Sequence, residues 1–392
     1  MHVLIVPSEH FLTPTLPLAG VFQFDQARVI ASKGINVGVI SVGKVPMSHL
    51  LRPYRYRQEE LCDGIPVLKR YTRWARPHRL DAHLRGVASY VRLATKLYRR
   101  YVTSNGRPDL IHAHNIRYAG LVACALAAEF RVPFVITEHS SEYGVPFDDE
   151  ARRVVYLQCI RSARGFAAVS LSHARIIAMR LGCDMADIKV IPNVLPPEFQ
   201  ESPPFVEQKA FGSPYRFLNV AQLVPVKNQD LLLKAFSRAF HSQPVTLQIV
   251  GDGPLENALR LRTVQLGISG QVNFLGRLDR LGVRQAMREA DAFVLCSNFE
   301  SFGVVAAEAA SQGLPVIATD CGGPGEIIDS ESGYLVPVGS EEALAAAMIG
   351  ARNDSARFSA AEISRRCRER FGPEALARSL RTFYAQGMQP DG

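Results

Sequence analysis

The 392-residue sequence predicts two α/β domains in tandem, each a doubly wound parallel sheet with helices on both faces. Three observations predict it. Short β-branched runs, apolar on successive residues, alternate with helix-periodic stretches along almost the whole chain, as in sheets buried on both sides. Proline pairs at 196–197 and 203–204 interrupt that alternation, after which it restarts. The chain is also too long for one ordinary hydrophobic core.

In the first half, strands are predicted at 2–6, 36–41, 109–114, 133–138, 165–170 and 189–192. Helical patterns lie between them at 21–33, 84–101, 117–130, 151–163 and 172–182, where parallel neighbours need crossovers. A proline pair continues neither a helix nor an inner strand, so the interdomain linker is placed there. The domains predicted are then 1–200 and 205–372. Second-half strands are predicted at 215–221, 245–250, 271–275, 291–295, 315–319 and 333–336. Helices are predicted there at 228–241, 254–266, 280–290, 303–312 and 341–352. A last helix, 373–387, follows Phe371-Gly372-Pro373, a stop-and-restart signal.

Composition narrows the class. With 47% hydrophobic and 21% charged residues the chain is neither disordered nor fibrous. No apolar run reaches the roughly 20 residues needed to span a bilayer. The start, Met1 to Pro7, reads as a strand rather than a signal peptide. Seven scattered cysteines without a C-x-x-C pair argue against a disulfide framework or a zinc cluster and suit a reducing cytoplasm. Charge is concentrated: residues 46–105 hold thirteen Lys and Arg against four acidic residues. Within this patch, 84–101 reads as an amphipathic helix with Arg85, Lys96, Arg92 and Arg99 on one stripe. Residues 52–101 are accordingly a candidate for reversible docking on an anionic inner membrane leaflet, against the plainer reading of a core-packed helix with a solvated basic face. No nucleic-acid motif is present.

Open parallel sheets bind ligands beyond the carboxyl ends of their strands. The unusual residues fall at those ends. His139 follows one strand, and Gln222 to Lys227 follow another. Gly251-Asp252-Gly253-Pro254, Glu300 to Gly303 and Gly322 to Glu326 follow three more. In Glu300-Ser301-Phe302-Gly303-Val304-Val305-Ala306-Ala307-Glu308, Ser301 is a candidate N-cap and Gly313 a candidate stop. The N–H groups of Phe302, Gly303 and Val304 would then face an anion such as phosphate. Glu300 and Glu308, ~8–12 Å apart by helix rise, could accept hydroxyls from the two ends of one ligand. Lys227, before the next helix, suits a diphosphate. The spacing of Gly38 to Lys44 imitates a triphosphate loop, but Val45 stands where Ser or Thr is required. Gly251-x-Gly253 lacks the third glycine of a dinucleotide fingerprint.

Four segments carry a resemblance. Asn219-Val-Ala-Gln-Leu-Val-Pro-Val-Lys227, the E-S-F-G-x-x-x-x-E run from Glu300 to Glu308, Ala318 to Ile328, and Val190-Ile-Pro-Asn193 with Ile136-Thr-Glu-His139 resemble the family 4 retaining glycosyltransferases across essentially the whole chain. The resemblance implies a GT-B fold, two Rossmann-like domains facing across a cleft, and transfer of a sugar from a UDP- or GDP-sugar to a glycan or lipid-linked acceptor. It implies that 373–392 returns to the first domain, and it also implies roles. Glu308 would hold the ribose, and Glu300 with the backbone of Phe302 to Val304 the donor sugar. Lys227 would neutralise the leaving diphosphate, and His139 would reach the sugar from the first domain. Gly276, Arg277 and Leu278 would lie near the base, and Gly20, Gln222 and Gly253 would line the phosphates. The family usually has Arg at Gln222, Gly at Ala221 and two glycines at Ala19-Gly20, so one phosphate-neutralising charge is missing. No D-x-D motif is visible and no metal is expected; Asp148-Asp149-Glu150 is read as a helix start, and His112 and His114 as a hydrogen-bonded pair. A nucleotide-sugar epimerase and an inactive basic binding protein are the alternatives.

Overall fold

The computed structural model describes residues 1–8, 20–44, 57–72, 80–140, 150–200 and 214–389. Ala19, Pro203-Pro204, Asp148-Asp149 and the basic positions within 52–56 and 73–79 lie outside the described residues, as does the side chain of Arg85. Contacts divide the chain into Met1–Asn193 with Leu376–Gly392, and Val194–Ala375.

The first unit runs β1 (His2–Pro7), α1 (Val21–Ser32), β2 (Asn36–Lys44), β3 (Arg57–Cys62), β4 (Ile65–Thr72), α2 (Leu80–Asn105), β5 (Leu110–His114), α3 (Leu121–Phe130), β6 (Phe134–Glu138), α4 (Glu150–Ser162), β7 (Gly165–Ala168), α5 (Leu171–Leu181) and β8 (Ile188–Val190). Its strands are ordered β3-β4-β2-β1-β5-β6-β7-β8, and every neighbouring pair is parallel except β3 with β4. All residues of β1, β5 and β6 are buried, as continuous apolar runs in a two-sided sheet require.

The β3–β4 hairpin is not among the strands read from the sequence. Its turn is Asp63-Gly64, with φ of 49° and 79°, the pair of left-handed residues that matches the twist of a two-residue hairpin. β3 is an edge strand of mostly polar residues, so a search for apolar runs passes over it. The buried ammonium of Lys69 on β4 pairs there with Glu60. The predicted amphipathic helix is α2, longer than expected at both ends. Tyr90, Ala94, Leu97, Tyr98 and Tyr101 are buried in the core, while Arg92, Lys96, Arg99 and Arg100 face solvent.

The second unit contains β9 (Tyr215–Val220), α6 (Gln229–Phe240), β10 (Val245–Val250), α7 (Glu256–Gln265), β11 (Val272–Gly276), α8 (Arg280–Glu289), β12 (Ala292–Leu295), α9 (Val304–Ser311), β13 (Val316–Thr319), β14 (Gly333–Val336), α10 (Glu341–Asn353) and α11 (Ala360–Phe371). The order β11-β10-β9-β12-β13-β14 is wholly parallel. Numbered within the unit this is 3-2-1-4-5-6, the doubly wound order whose direction reverses between its first and fourth strands. The two domains are thus parallel-sheet α/β units, the fold class read from the sequence. The helix α11 is the second element missing from that reading. Four arginines obscure its buried stripe of Ile363, Ser364, Cys367 and Phe371. It braces α9: Ser364 Oγ donates to Ser311 O at 2.6 Å and Cys367 Sγ to Ala307 O at 3.2 Å.

Val194 to Gln200 go with the second unit because Leu195 N donates to Phe371 O and Arg284 to Glu198 O. The last helix, α12 (Pro373–Gly387), belongs to the first unit from Leu376 on. Leu380, Phe383 and Tyr384 are buried, and the Tyr384 hydroxyl meets His112 Nδ1 at 2.8 Å. Among the described residues no helix is long and apolar enough to cross a membrane.

Tyr384→Phe removes one buried hydrogen bond and leaves the His112 nitrogen without its partner. It is expected to destabilise the first unit by about 1–3 kcal/mol, read as a lowered denaturation midpoint with an unchanged m-value.

Candidate active site

The strand order reverses in the second unit at β9 and β12, and the loops leaving those two strands carry Lys227 and Glu300. After β9 the chain makes a short turn, Pro225–Lys227, and enters α6 through Asn228 in the left-handed region, φ 49°. After β12 it runs through Cys296 to Glu300. The two loops are tied together by backbone and side chain. Asn298 N donates to Val226 O at 2.8 Å, Asn228 Nδ2 to Asn298 Oδ1 at 3.0 Å, and Cys296 Sγ to Lys227 O at 3.2 Å. The consequence is an ion pair: Lys227 Nζ lies 2.6 Å from Glu300 Oε1. Ser297 Oγ donates to the same oxygen at 2.7 Å.

Glu300 is fixed from a third side by the loop after β13. Glu300 pairs with Gly322 in an isolated parallel bridge, and Gly323 N donates to Glu300 O at 3.0 Å. A Cβ on Gly323 would lie 2.3 Å from Phe302 Cα, so only glycine lets the two strands of chain cross. The loop after β10 is held in the same way. Leu223 N donates to Asp252 O at 2.8 Å, and a Cβ on Gly253, whose φ is 156°, would lie 2.5 Å from Leu223 O. Gly251 N in turn donates to Gly276 O at the end of β11. Gly253 and Gly276 are therefore backbone supports of the loops that carry Gln222 and Leu278. Gln222 is exposed, and its carbonyl accepts from Gln229 Nε2.

The start of the helix after Glu300 differs from the reading above. Ser301 does not cap it. α9 begins at Val304, and its N-cap is Gly303 at φ 88°, with no side-chain capping bond. Phe302 is buried against Phe371, 5.3 Å between ring centroids, which turns the chain inward before the helix starts. Of the three amides expected at the helix end, Val304 alone is helical, and Phe302 and Gly303 form the approach to it. Glu308 is on α9, partly exposed, and Gly313 follows the helix at φ 84°.

In the first unit, Gly20 caps α1 at φ 73°. His139 follows β6 and is buried among other histidines. Its Nδ1 is 3.0 Å from Asn193 Oδ1, which also accepts from Gln26 Nε2, so Nδ1 carries the proton. Its Nε2 is then the acceptor for His114 Nδ1 at 2.8 Å, and the remaining His114 Nε2 is a buried acceptor without a hydrogen-bond partner among the described residues. His112 is not bonded to His114, although their ring centroids are 4.2 Å apart. It bonds Tyr384 and Thr137 instead. Burial lowers the His139 pKa to about 3 and that of His112 to about 3, and pushes His114 well down. All three are neutral near pH 7. Beside them, the buried Glu138 carboxylate accepts from the amides of Ile116 and Ser140.

Residues 204–370 match the family model of glycosyl transferases group 1, and residues 19–199 match that of glycosyltransferase family 4. The chain is a family 4 glycosyltransferase of the GT-B type. This glycosyltransferase is 27% identical to the putative teichuronic acid biosynthesis glycosyltransferase TuaC of Bacillus subtilis over 352 residues, 85% of this chain and 84% of that one. It is 28% identical to the glycogen synthase of Mycobacterium tuberculosis over 304 residues, 76% and 72% of the two chains. Anabaena HepE, solved with UDP, shares the fold with a TM-score of 0.74 at 21% identity, covering 98% of this chain and 100% of that one.

The buried histidines set an acid limit on the glycosyltransferase. Their folded pKa values lie below the ordinary 6.5, so between about 3 and 6.5 the unfolded chain binds more protons. Stability is fully present above about pH 6.5 and falls as the pH drops through that window, by up to about 1.4 kcal/mol per pH unit for each histidine. Denaturation midpoints measured from pH 7.5 to 4.5 are expected to fall, and to fall less steeply in His112→Gln.

Proposed function

We propose that the glycosyltransferase moves a hexosyl residue from a nucleotide-sugar to a glycan or lipid-linked acceptor with retention of anomeric configuration. The Lys227–Glu300 pair at the strand-order reversal carries the proposal. It puts one cation and one carboxylate, 24% and 13% exposed, side by side where a doubly wound sheet receives its ligand. The cation suits a diphosphate leaving group and the carboxylate suits sugar hydroxyls. Glu308, further along α9, suits the ribose, and the amide of Val304 with the approach through Phe302 and Gly303 suits the anionic end of the donor. Gly20, Gln222, Gly253, Gly276 and Leu278 are proposed as lining residues. The relation to TuaC supports a role in surface polysaccharide or glycolipid synthesis, and HepE, solved with UDP, supports a UDP-sugar as the first donor to try.

In the proposed course the bond from the anomeric carbon to the diphosphate oxygen breaks ahead of attack. The acceptor hydroxyl approaches on the same face, and the departing diphosphate takes its proton. Catalysis is then charge stabilisation and positioning, with Lys227 against the growing negative charge. His139, neutral and with both ring nitrogens engaged, is assigned to orientation rather than to proton abstraction. No metal is assigned to the reaction.

Lys227→Ala is expected to cost about 2–4 kcal/mol of transition-state stabilisation, a fall in kcat of about 10² to 10³. Near-normal turnover in that variant removes the assignment. Thermal melts with UDP, GDP, ADP and dTDP are expected to show stabilisation by one base, unchanged by EDTA. At about 100 times its dissociation constant that nucleotide adds about 2.7 kcal/mol.

We also propose that the basic face of α2 docks the protein on the inner face of the cytoplasmic membrane. Arg92, Lys96, Arg99 and Arg100 are all exposed, but Arg99 and Arg100 are paired with Glu129 and Glu59, so Arg92 and Lys96 are the cations of the described stripe outside those ion pairs. Co-sedimentation with anionic vesicles at low salt, and its loss in Arg92→Glu/Lys96→Glu, is the expected result. Indifference of the wild-type protein to such vesicles rules docking out.

A further inference from the structure

Glu300 Oε1 accepts two hydrogen bonds, from Lys227 Nζ at 2.6 Å and from Ser297 Oγ at 2.7 Å, while among the described residues Oε2 accepts none. The two donors differ in what holds them. Lys227 is a partly exposed ammonium at the end of a flexible stem. Ser297 is fully buried at the end of β12, and its carbonyl accepts from the buried Thr319 hydroxyl at 2.5 Å. A hydroxyl has one proton, and that of Ser297 makes a single hydrogen bond, to Glu300.

The two donors also have different fates when a donor substrate binds. A diphosphate carries more negative charge than one carboxylate and competes for the ammonium. As Lys227 turns to the phosphates, Glu300 loses its charge partner at the moment its free oxygen must meet sugar hydroxyls. Without a second tether the carboxylate would regain rotamer freedom. Resting on the transferase reading above, we propose that Ser297 is a positioning residue. It keeps the Glu300 carboxylate aimed while Lys227 is drawn to the diphosphate. The pair seen here is then a latch that the nucleotide opens, and Ser297 is the part that does not move. Ser297 stands three residues before Glu300, and the intervening chain folds so that its hydroxyl reaches Oε1.

The role predicts an effect on the sugar and not on the nucleotide. Calorimetric titration of the full chain with UDP and GDP, and with UDP-glucose and GDP-mannose, measures the two parts separately. In Ser297→Ala the nucleoside diphosphate that binds the wild-type chain is expected to bind within about two-fold of wild type. Affinity for its sugar-nucleotide and kcat are expected to fall about ten-fold, the scale of one hydrogen bond to a charged group. Ser297→Cys keeps the volume and a weaker donor, and is expected to recover part of the loss; it also serves if the alanine variant folds poorly. In a Glu300→Ala background, which leaves the Ser297 hydroxyl no side-chain oxygen at 300 to hold, Ser297→Ala is expected to add no further loss. Equal losses for nucleotide and sugar-nucleotide, or a full additional loss in the Glu300→Ala background, overturn the proposal. So does a Ser297→Ala variant indistinguishable from a nucleotide-binding wild type, which leaves the transferase reading intact. A wild-type chain that binds no nucleotide overturns both.

Discussion

A parallel sheet brings the carboxyl ends of all its strands to one edge, and where the strand order reverses, the loops from two adjacent strands leave toward opposite faces. Between β9 and β12 that divergence opens a crevice whose walls are backbone. The rest of the second unit is arranged to keep it rigid. The loop after β12 is bonded to the loop after β9 through Asn298 and Cys296, and to the loop after β13 through Gly322 and Gly323. The Lys227–Glu300 pair sits where these ties converge. Burial of the thiols behind it, which raises Cys296 to about 12 and Cys321 to about 11, keeps them as neutral packing groups rather than nucleophiles near neutral pH.

The first unit meets a related problem by different means. Its strand ends carry polar side chains buried in apolar surroundings, and each must find a partner inside the fold. A chain of hydrogen bonds from Asn193 through His139 to His114 does this with neutral rings, and His112 is satisfied by Thr137 and by Tyr384. Tyr384 arrives on the last helix, 272 residues along the chain from its partner. The C-terminal return is thus part of the polar core of the unit that the chain began.

Period and punctuation were legible before any coordinates. Continuous apolar runs are unambiguous when both faces of a strand are buried, so every inner strand of both sheets except β4 was visible. The elements that escaped lie at edges or carry charge: β3, paired on one side only, β4, whose apolar run is broken by Pro66 and by Lys69-Arg70, and α11, whose four arginines cover a four-residue stripe. Of the candidate residues, Lys227, Glu300 and His139 were marked by type and by position at strand ends, and Glu308 by its spacing from Glu300. The start of α9 was misplaced because a serine before an apolar run reads as a cap, whereas packing of Phe302 on Phe371 delays the helix and hands the cap to Gly303.

The sequence by itself determined the two-domain α/β class, the inner strands other than β4 and the residues with chemistry to offer, because those depend on local pattern and on side-chain type. Tertiary structure alone decided which partners those residues have. That Lys227 reaches the Glu300 oxygen held locally by Ser297, that His139 is held in one neutral tautomer, and that Gly323 crosses Phe302 all follow from contacts between segments separated along the chain. Such contacts leave no periodic trace, since each depends on where a strand order reverses and not on the residues beside it.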